Sequence, residues 1–378
     1  MVKVLIGADI APTRSNYKYF QNADVEYLIG TELIDIFREH CFRLLNLETP
    51  LTDTASPILK SGQNFYAPTN TIEAIKLMNP SLLTLANNHI LDQGVQGINS
   101  TIEILNKNSI HHVGVGKNLT NAVIPYILEK DGIKIGVYAC AEHEFSIATE
   151  TKAGANPFDQ LESIGHIASL KSQCDYVIIL YHGGKEYYRY PSPLLQKYCK
   201  KMADNGADVI VCQHSHCIGS FEKYNKSTII YGQGNFLFDN SDSEFWKTSL
   251  LLSVSFDGNV PKVNYIPIIK CDDKVRLADK SQSNEIIKSF YERSEYILHD
   301  GFVVNEYKDH AKKMYSKYLI ALLGDNLIIR IMNKLFKRKL LNMMYSKIAL
   351  LKIMNYFMCE AHRELIIASL EDYLNLNG

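Results

Sequence analysis

Neither charge predominates in this 378-residue chain, in which 40 Lys+Arg stand against 41 Asp+Glu. Without a global basic field, nucleic acid is not expected as a main partner, and any charged site must be local. The eight cysteines include no C-x-x-C pair. A disulfide framework or a zinc ribbon would need patterned spacing, so buried free thiols in a reducing compartment are expected instead. Long apolar runs are missing too. The greasiest stretch, "KLLNMMYSKIALLKIMNYFM" near the C-terminus, is broken by Lys347, Lys352 and two asparagines, and fails the requirement of about 20 apolar residues for a membrane span. The opening "MVKVLIGADI" reaches Asp9 with no longer apolar core and no small-residue cleavage site, so it reads as a strand rather than a signal peptide. A cytoplasmic location follows as an expectation. No internal repeat or low-complexity linker is found.

What is present is a series of segments rich in Val, Ile and Leu: "VKVLIG", "FRLLNLE", "SLLTLAN", "KIGVYACA", "DYVIILYH", "DVIVCQH" and "STIIYGQG". Each reads as a strand buried on both faces. Helical-period stretches such as "NTIEAIKLMN" and "PLLQKYCKKMADNG" lie between many of them, which predicts α/β layers with helices covering a largely parallel or mixed sheet. "SLLLSVSFDGNVPKVNYIPIIK" alternates around an Asp-Gly turn and predicts a hairpin closing this region near Lys270. From about residue 280 the texture turns helical, with few glycines and no proline. Two domains are expected, a layered one over 1–272 and a helical one over 280–378.

The predicted strands share a habit of ending in residues that can hold a metal or move a proton. "LIGAD" ends at Asp9, "LLNLE" at Glu48, "LLTLANNH" at Asn88 and His89, "VIILYH" at His182, and "VIVCQHSH" at His214 and His216. In open α/β sheets ligands sit beyond the carboxyl ends of strands, so these side chains can converge. Carboxylates, an amide oxygen and imidazoles suit Mn, Fe or Zn rather than thiolate-seeking metals. A pair of such ions about 3.5–4 Å apart needs a bridging carboxylate, for which Glu48 or Asp9 qualifies. Singly, each residue has a plainer explanation. His-x-His reads as a packed pair on one strand face, Asn87-Asn88 as a turn, Asp9 as a helix cap and Glu48 as a solvated strand end. Five such ends in one predicted sheet favour the metal.

At this point the chain resembles the CapA proteins of capsule and poly-gamma-glutamate synthesis, which are similar to calcineurin-type metallophosphoesterases. The stretches that carry the resemblance are "GADIAPTR" (7–14), "NLETPLT" (46–52), "ANNHILDQG" (86–94), "HGGKEY" (182–187), "GADVIVCQHSHCIGSFEKY" (206–224) and "IIYGQGNFLFD" (229–239). They keep the family's order over nearly all of 1–270. The resemblance implies a metallophosphoesterase-like αββα sandwich with an appended helical C-terminal domain. It implies two divalent ions held by Asp9, Glu48, Asn88, His182, His214 and His216, with Glu48 bridging. It also implies His89 as the active-site histidine, which places Asp92 to hold the His89 ring. Arg14, Lys60 and Glu186 lie in or beside the motifs and are expected to face substrate, a solvated loop lysine being the plainer reading of Lys60. The chain departs from the family in three places: Gly-Ala-Asp stands for Gly-Asp, "HSH" for "HPH", and "HGGKEY" for an aromatic-containing "HWGxEY". Gly183 in place of a large ring is expected to open or reshape the pocket. The lack of an apparent membrane anchor argues against an extracytoplasmic role.

The expected activity is hydrolysis of a phosphoester in surface-polymer assembly, on a phosphorylated or polymeric cell-envelope precursor. Two alternatives remain open. One is amide or glycosidic bond processing or transfer on a polymer at the same metals, and the other is a non-catalytic accessory role in a polymer-building complex. The basic run "RIMNKLFKRKLL" (330–341) offers a contact for an anionic membrane surface or a partner. Its Leu-, Ile- and Met-rich flanks favour instead the solvated face of a helix bundle.

Overall fold

Strand Val2–Ile10 explains why its sequence is apolar almost throughout: Leu5 packs against helices on one side, while Val4 and Ile6 face a second sheet on the other. In the computed structural model this strand is central to an eight-stranded sheet. The order is Lys274–Leu277, Lys262–Cys271, Thr248–Phe256, Val2–Ile10, Phe42–Leu47, Leu82–Thr84, His112–Val113, with Asn235–Leu237 also paired to Val2–Ile10. A six-stranded sheet has the order Phe221–Tyr224, Ser227–Ile230, Val209–Gln213, Tyr176–His182, Ile133–Ala141, Tyr126–Lys130. Residues 1–238, 243–322, 326–337 and 339–374 are described, without the side chain of 342. Asp239 of the motif at 229–239, Arg338 of the basic run, and the ends of two helical stretches at 323–324 and 375–376 lie outside them.

The two sheets pack face to face through Val4, Ile6, Leu44 and Leu252 on one side and Val137, Ile178, Leu180 and Val211 on the other. Helices Val25–Arg38, Ile72–Leu77 and Gly94–Lys107 cover the outer face of the larger sheet. Glu162–Lys171 and Pro193–Asp204 cover that of the smaller. The result is an αββα sandwich. Both sheets are mixed, and the predicted hairpin appears as the antiparallel pair Thr248–Phe256 and Lys262–Cys271. The cysteines are all free, and Cys140, Cys174 and Cys212 are buried.

The chain divides into two compact units, Met1–Val304 and Asn305–Gly378. Helix Lys280–Tyr296, which the sequence texture groups with the helical region, falls in the first unit. Asp279 and Gln282 start it with a capping box. Its Phe290 is fully buried, with its ring 5.0 Å from that of Phe221 and 4.9 Å from that of Tyr265. Arg293 also donates to Gly219 O at 2.8 Å, and helical periodicity cannot reveal that these side chains fasten the helix to the sandwich. In the second unit, helices Leu327–Leu335, Lys347–Met358 and Glu360–Tyr373 leave many apolar side chains exposed. Among the described residues, no helix is long and apolar enough to cross a membrane.

Candidate metal centre

Two adjacent strands of the larger sheet supply the carboxylates. Asp9 lies opposite Asn46 on one side and Asn235 on the other, after an irregularity in the pairing between Ile6 and Asp9. Glu48 follows the end of strand Phe42–Leu47. Both carboxylates are wholly buried. Asn46 donates to Asp9 Oδ1 at 2.7 Å, but among the described residues Asp9 Oδ2 and both oxygens of Glu48 accept no hydrogen bond. Buried charge of this kind is costly unless a cation or donor compensates it.

The imidazoles come from the other sheet. His182 ends strand Tyr176–His182, and its Nε2 lies 3.4 Å from Glu48 Oε1 while its Nδ1 lies 3.9 Å from Asp9 Oδ1. His214 and His216 lie beyond strand Val209–Gln213, so strand alternation is not what brings them together. Their φ angles are 77° and 55°. Such left-handed backbone at a non-glycine residue costs on the order of 1–3 kcal/mol and is held only where the surroundings demand it. His216 Nδ1 is 2.8 Å from Asn235 Oδ1, and its ring stacks on Trp246 at 4.7 Å between centroids. Because Asn235 offers its oxygen, Nδ1 carries the hydrogen of this contact and Nε2 is the nitrogen left toward the centre.

Asn88 completes the set. Its Oδ1 is 3.1 Å from His182 Nε2, while its Nδ2 donates to Glu144 at 3.3 Å, so the amide turns its oxygen toward the imidazoles. Two groups of side chains could each hold a metal ion: Asp9, Glu48 and His182, and Glu48, His214 and His216, with the ligand atoms of each group within 4.8 Å of one another. Glu48 is common to both.

These neighbours set the protonation of the centre. Burial, then the adjacent Glu48, pushes the Asp9 carboxyl up to about 6. Burial also works to raise Glu48, but the facing His182 outweighs it and holds Glu48 below the usual carboxylate range. His182 is correspondingly raised: burial opposes its charge, and Glu48 more than offsets that. His214 is driven well below the ordinary histidine value by burial and then by His182. Without a bound cation, a proton on His182 would offset part of the buried negative charge.

His89 sits at the edge, with Nδ1 2.6 Å from Asp92 Oδ2. Asp92 is fully buried and saturated, its Oδ2 also accepting from the Phe65 backbone N–H at 2.6 Å and its Oδ1 from Lys60. The Lys60 side chain is only 4 % exposed and faces Asp92, with its Nζ 3.3 Å from His89 Nδ1. The carboxylate can only accept, so His89 Nδ1 carries a hydrogen and Nε2 is left for other chemistry. Phe65 packs its ring 4.5 Å from the imidazole. Of the other expected substrate contacts, Glu186 Oε1 approaches His214 Nε2 at 4.0 Å. Arg14 is exposed and, among the described residues, makes no hydrogen bond or ion pair with the cluster. At Gly183, an added Cβ would run into the Glu142 and Tyr181 side chains, so those groups occupy the space of a larger residue.

Several supporting residues escape sequence reasoning. Asn87, read there as a turn residue, is buried, donates to Leu47 O at 2.9 Å and accepts from the His89 backbone N–H at 3.1 Å, tying the two strand exits together. Asn46 could have been flagged, because a strand repeat of two puts it on the same face as Glu48. Asn235 and Glu144 carry no comparable signal.

The family model described as "Bacterial capsule synthesis protein PGA_cap" matches residues 3–240. The capsule biosynthesis protein CapA of Bacillus anthracis is 29% identical over 232 residues, covering 59% of this chain and 56% of the relative. The PGA biosynthesis protein CapA of Bacillus subtilis (strain 168) is 31% identical over 209 residues, covering 54% and 55%. A probable polyglutamine synthesis accessory protein of Mycobacterium tuberculosis is 23% identical over 274 residues, covering 66% and 71%. The chain thus spans about half the length of the two Bacillus relatives. Among solved structures, a hypothetical protein from Thermus thermophilus aligns with a TM-score of 0.47 at 12% identity, covering 71% of this chain and 100% of that one. The NAD nucleotidase of Haemophilus influenzae aligns at 0.45 and 13%, covering 83% and 60%.

Proposed function

The chain belongs to the bacterial capsule synthesis protein family PGA_cap, and from that premise we propose that it is a dinuclear metal-dependent phosphoesterase acting on a phosphorylated or polymeric precursor of the cell envelope. The observation that carries this reading is the set of three fully buried carboxylate oxygens on Asp9 and Glu48 that accept no hydrogen bond among the described residues, faced by His182, His214 and His216. The donor set of carboxylate, amide and imidazole suits Mn, Fe or Zn. Bound there, a pair of such ions supplies hydroxide at neutral pH and charge stabilisation for a phosphoryl group.

The chain's own residues would do the rest. Asp9, Glu48, Asn88, His182, His214 and His216 would hold the ions, Glu48 being common to both groups. His89, oriented by Asp92 through Nδ1, presents Nε2 to the leaving oxygen as general acid, a role typically worth about 10²–10⁴-fold in rate. Lys60 balances the Asp92 charge, so it acts as a positioning residue and not as a substrate contact. Glu186 borders the centre only loosely, and specificity would rest on it and on neighbouring loops.

The test is elemental analysis of the purified chain, followed by a phosphate-release screen over sugar phosphates, nucleotide sugars and phosphodiesters. Two metal equivalents with phosphate release support the reading, and a chain that takes up no divalent ion sinks it. A second reading has one observation behind it: the Mycobacterium tuberculosis relative carries the name of an accessory protein. Two bound metals with no phosphate release and no polymer cleavage would favour that role. Polymer cleavage without phosphate would point to amide or glycosidic chemistry.

A further inference from the structure

Between Asn326 and Met358 the chain has seven Lys and Arg and no Asp or Glu. The structure arranges this segment in an unusual way for water. In helix Leu327–Leu335, successive residues advance by about 100°, so Leu327, Ile328, Ile331, Met332 and Leu335 share one broad face. That face is outward: Ile331 is 53% exposed and Leu335 75%. The inward side holds Asn333, 2% exposed, whose Oδ1 has no hydrogen-bond partner among the described residues. The exposed Lys334 flanks the apolar arc. Helix Lys347–Met358 repeats the theme, with Ile348, Leu351 and Phe357 exposed and no residue buried. The bundle core expected from the Leu, Ile and Met content has not formed around these helices.

We infer that helices Leu327–Leu335 and Lys347–Met358 form a docking surface for an anionic lipid bilayer. An outward apolar face bordered by lysines is the arrangement that lies in the plane of an interface, its apolar side in the acyl boundary and its cations among the headgroups. The short helices are suited to lying on a bilayer, and among the described residues none is long and apolar enough to cross one. Charge selects this occupant over a second copy of the chain. A two-fold pairing of the surface would set two wholly basic segments against each other, and such like-charge contact is unfavourable. Anionic headgroups complement them, at about fivefold in binding for each lysine near the surface.

The experiment is flotation of the purified full chain with phosphatidylcholine vesicles containing none, a fifth or two fifths phosphatidylglycerol. The surface predicts binding that rises with phosphatidylglycerol and is lost in high salt. A variant carrying Lys334→Gln, Lys337→Gln, Lys347→Gln and Lys352→Gln should bind roughly a hundredfold or more weakly. These side chains are exposed, so folding is not at stake. The chain has one tryptophan, Trp246, in the first unit, and it is buried. Leu335→Trp therefore adds a local reporter, whose emission should shift to the blue on phosphatidylglycerol vesicles. No flotation on anionic vesicles, equal flotation on neutral ones, or an unshifted Leu335→Trp emission overturns the inference. A stable dimer in sedimentation that Leu335→Ser dissociates would assign the face to a second copy instead. Metal content and phosphate release are untouched by these variants, so failure here and failure of the hydrolase reading are distinguishable.

Discussion

On the His89 side of the centre, Asp92 is fully buried and both its oxygens are engaged by Lys60, His89 and the Phe65 backbone. On the strand-end side, Asp9 and Glu48 are just as buried, yet three of their four oxygens accept nothing among the described residues. The first arrangement is complete within the chain. The second is paired only in part, by imidazoles, and a fold sustains such a deficit where a cation is the missing partner. The two sides therefore respond differently to the same kind of substitution.

The largest break should come from Glu48→Gln. Losing the carboxylate common to both metal groups is expected to lower metal content and reduce turnover by about a thousandfold or more, as for electrostatic groups at a reacting centre. In metal-free protein Asp9→Asn should raise the unfolding temperature at pH 7, because burial and the adjacent Glu48 disfavour the Asp9 charge and push its carboxyl up to about 6. Calorimetry of the chelated protein checks the sign, and a fall in stability there would contradict the deficit. Next, His89→Asn should keep the metals while cutting turnover about 10²–10⁴-fold. Full activity on the true substrate would remove His89 from its role.

Lys60→Met reverses the pattern. Stranding Asp92 on the completed side is expected to cost about 3 kcal/mol or more in stability with metal content unchanged, measured by urea unfolding beside elemental analysis. Asn235→Ala, which frees the His216 ring, should weaken metal affinity by about 10–100-fold with little change in fold stability, as read by titration with a chelator. The smallest effect concerns His40, whose two ring nitrogens lie 2.7 Å from Ile36 O and from Ser253 Oγ. Burial holds its pKa below the ordinary histidine value. A depressed histidine stabilises the fold above pH of about 6.5, and that contribution is lost as pH falls through the folded value. His40→Gln should therefore flatten the fall in stability between pH 7 and 5, which unfolding curves across that range would detect.

Much of the centre is legible in the residues themselves, because apolar strands that stop at Asp9, Glu48, His182 and His214 announce polar strand ends. Asn46 was within reach of the same reasoning. The pairing of Lys60 with Asp92 was not, since 32 positions separate them and a loop lysine has no periodicity to betray its burial. His214 and His216 looked like neighbours on a strand, but their left-handed backbone beyond the strand end is what turns both rings toward Glu48. The placement of helix Lys280–Tyr296 depended on Phe290, whose apolar character says nothing about where it will be buried.

Local pattern alone determined the strands, the covering helices, the residue types at the strand ends and the wholly basic segment near the C-terminus. Those properties depend on neighbours a few positions apart. Only tertiary structure decided that His182 from one sheet meets Asp9 and Glu48 from the other, that Lys60 is spent on Asp92, and that the apolar face of helix Leu327–Leu335 points outward. The physical reason is common to all three. Distances between sheets, and the burial of a given side chain, are set by packing among segments far apart in the chain, which short-range periodicity does not encode.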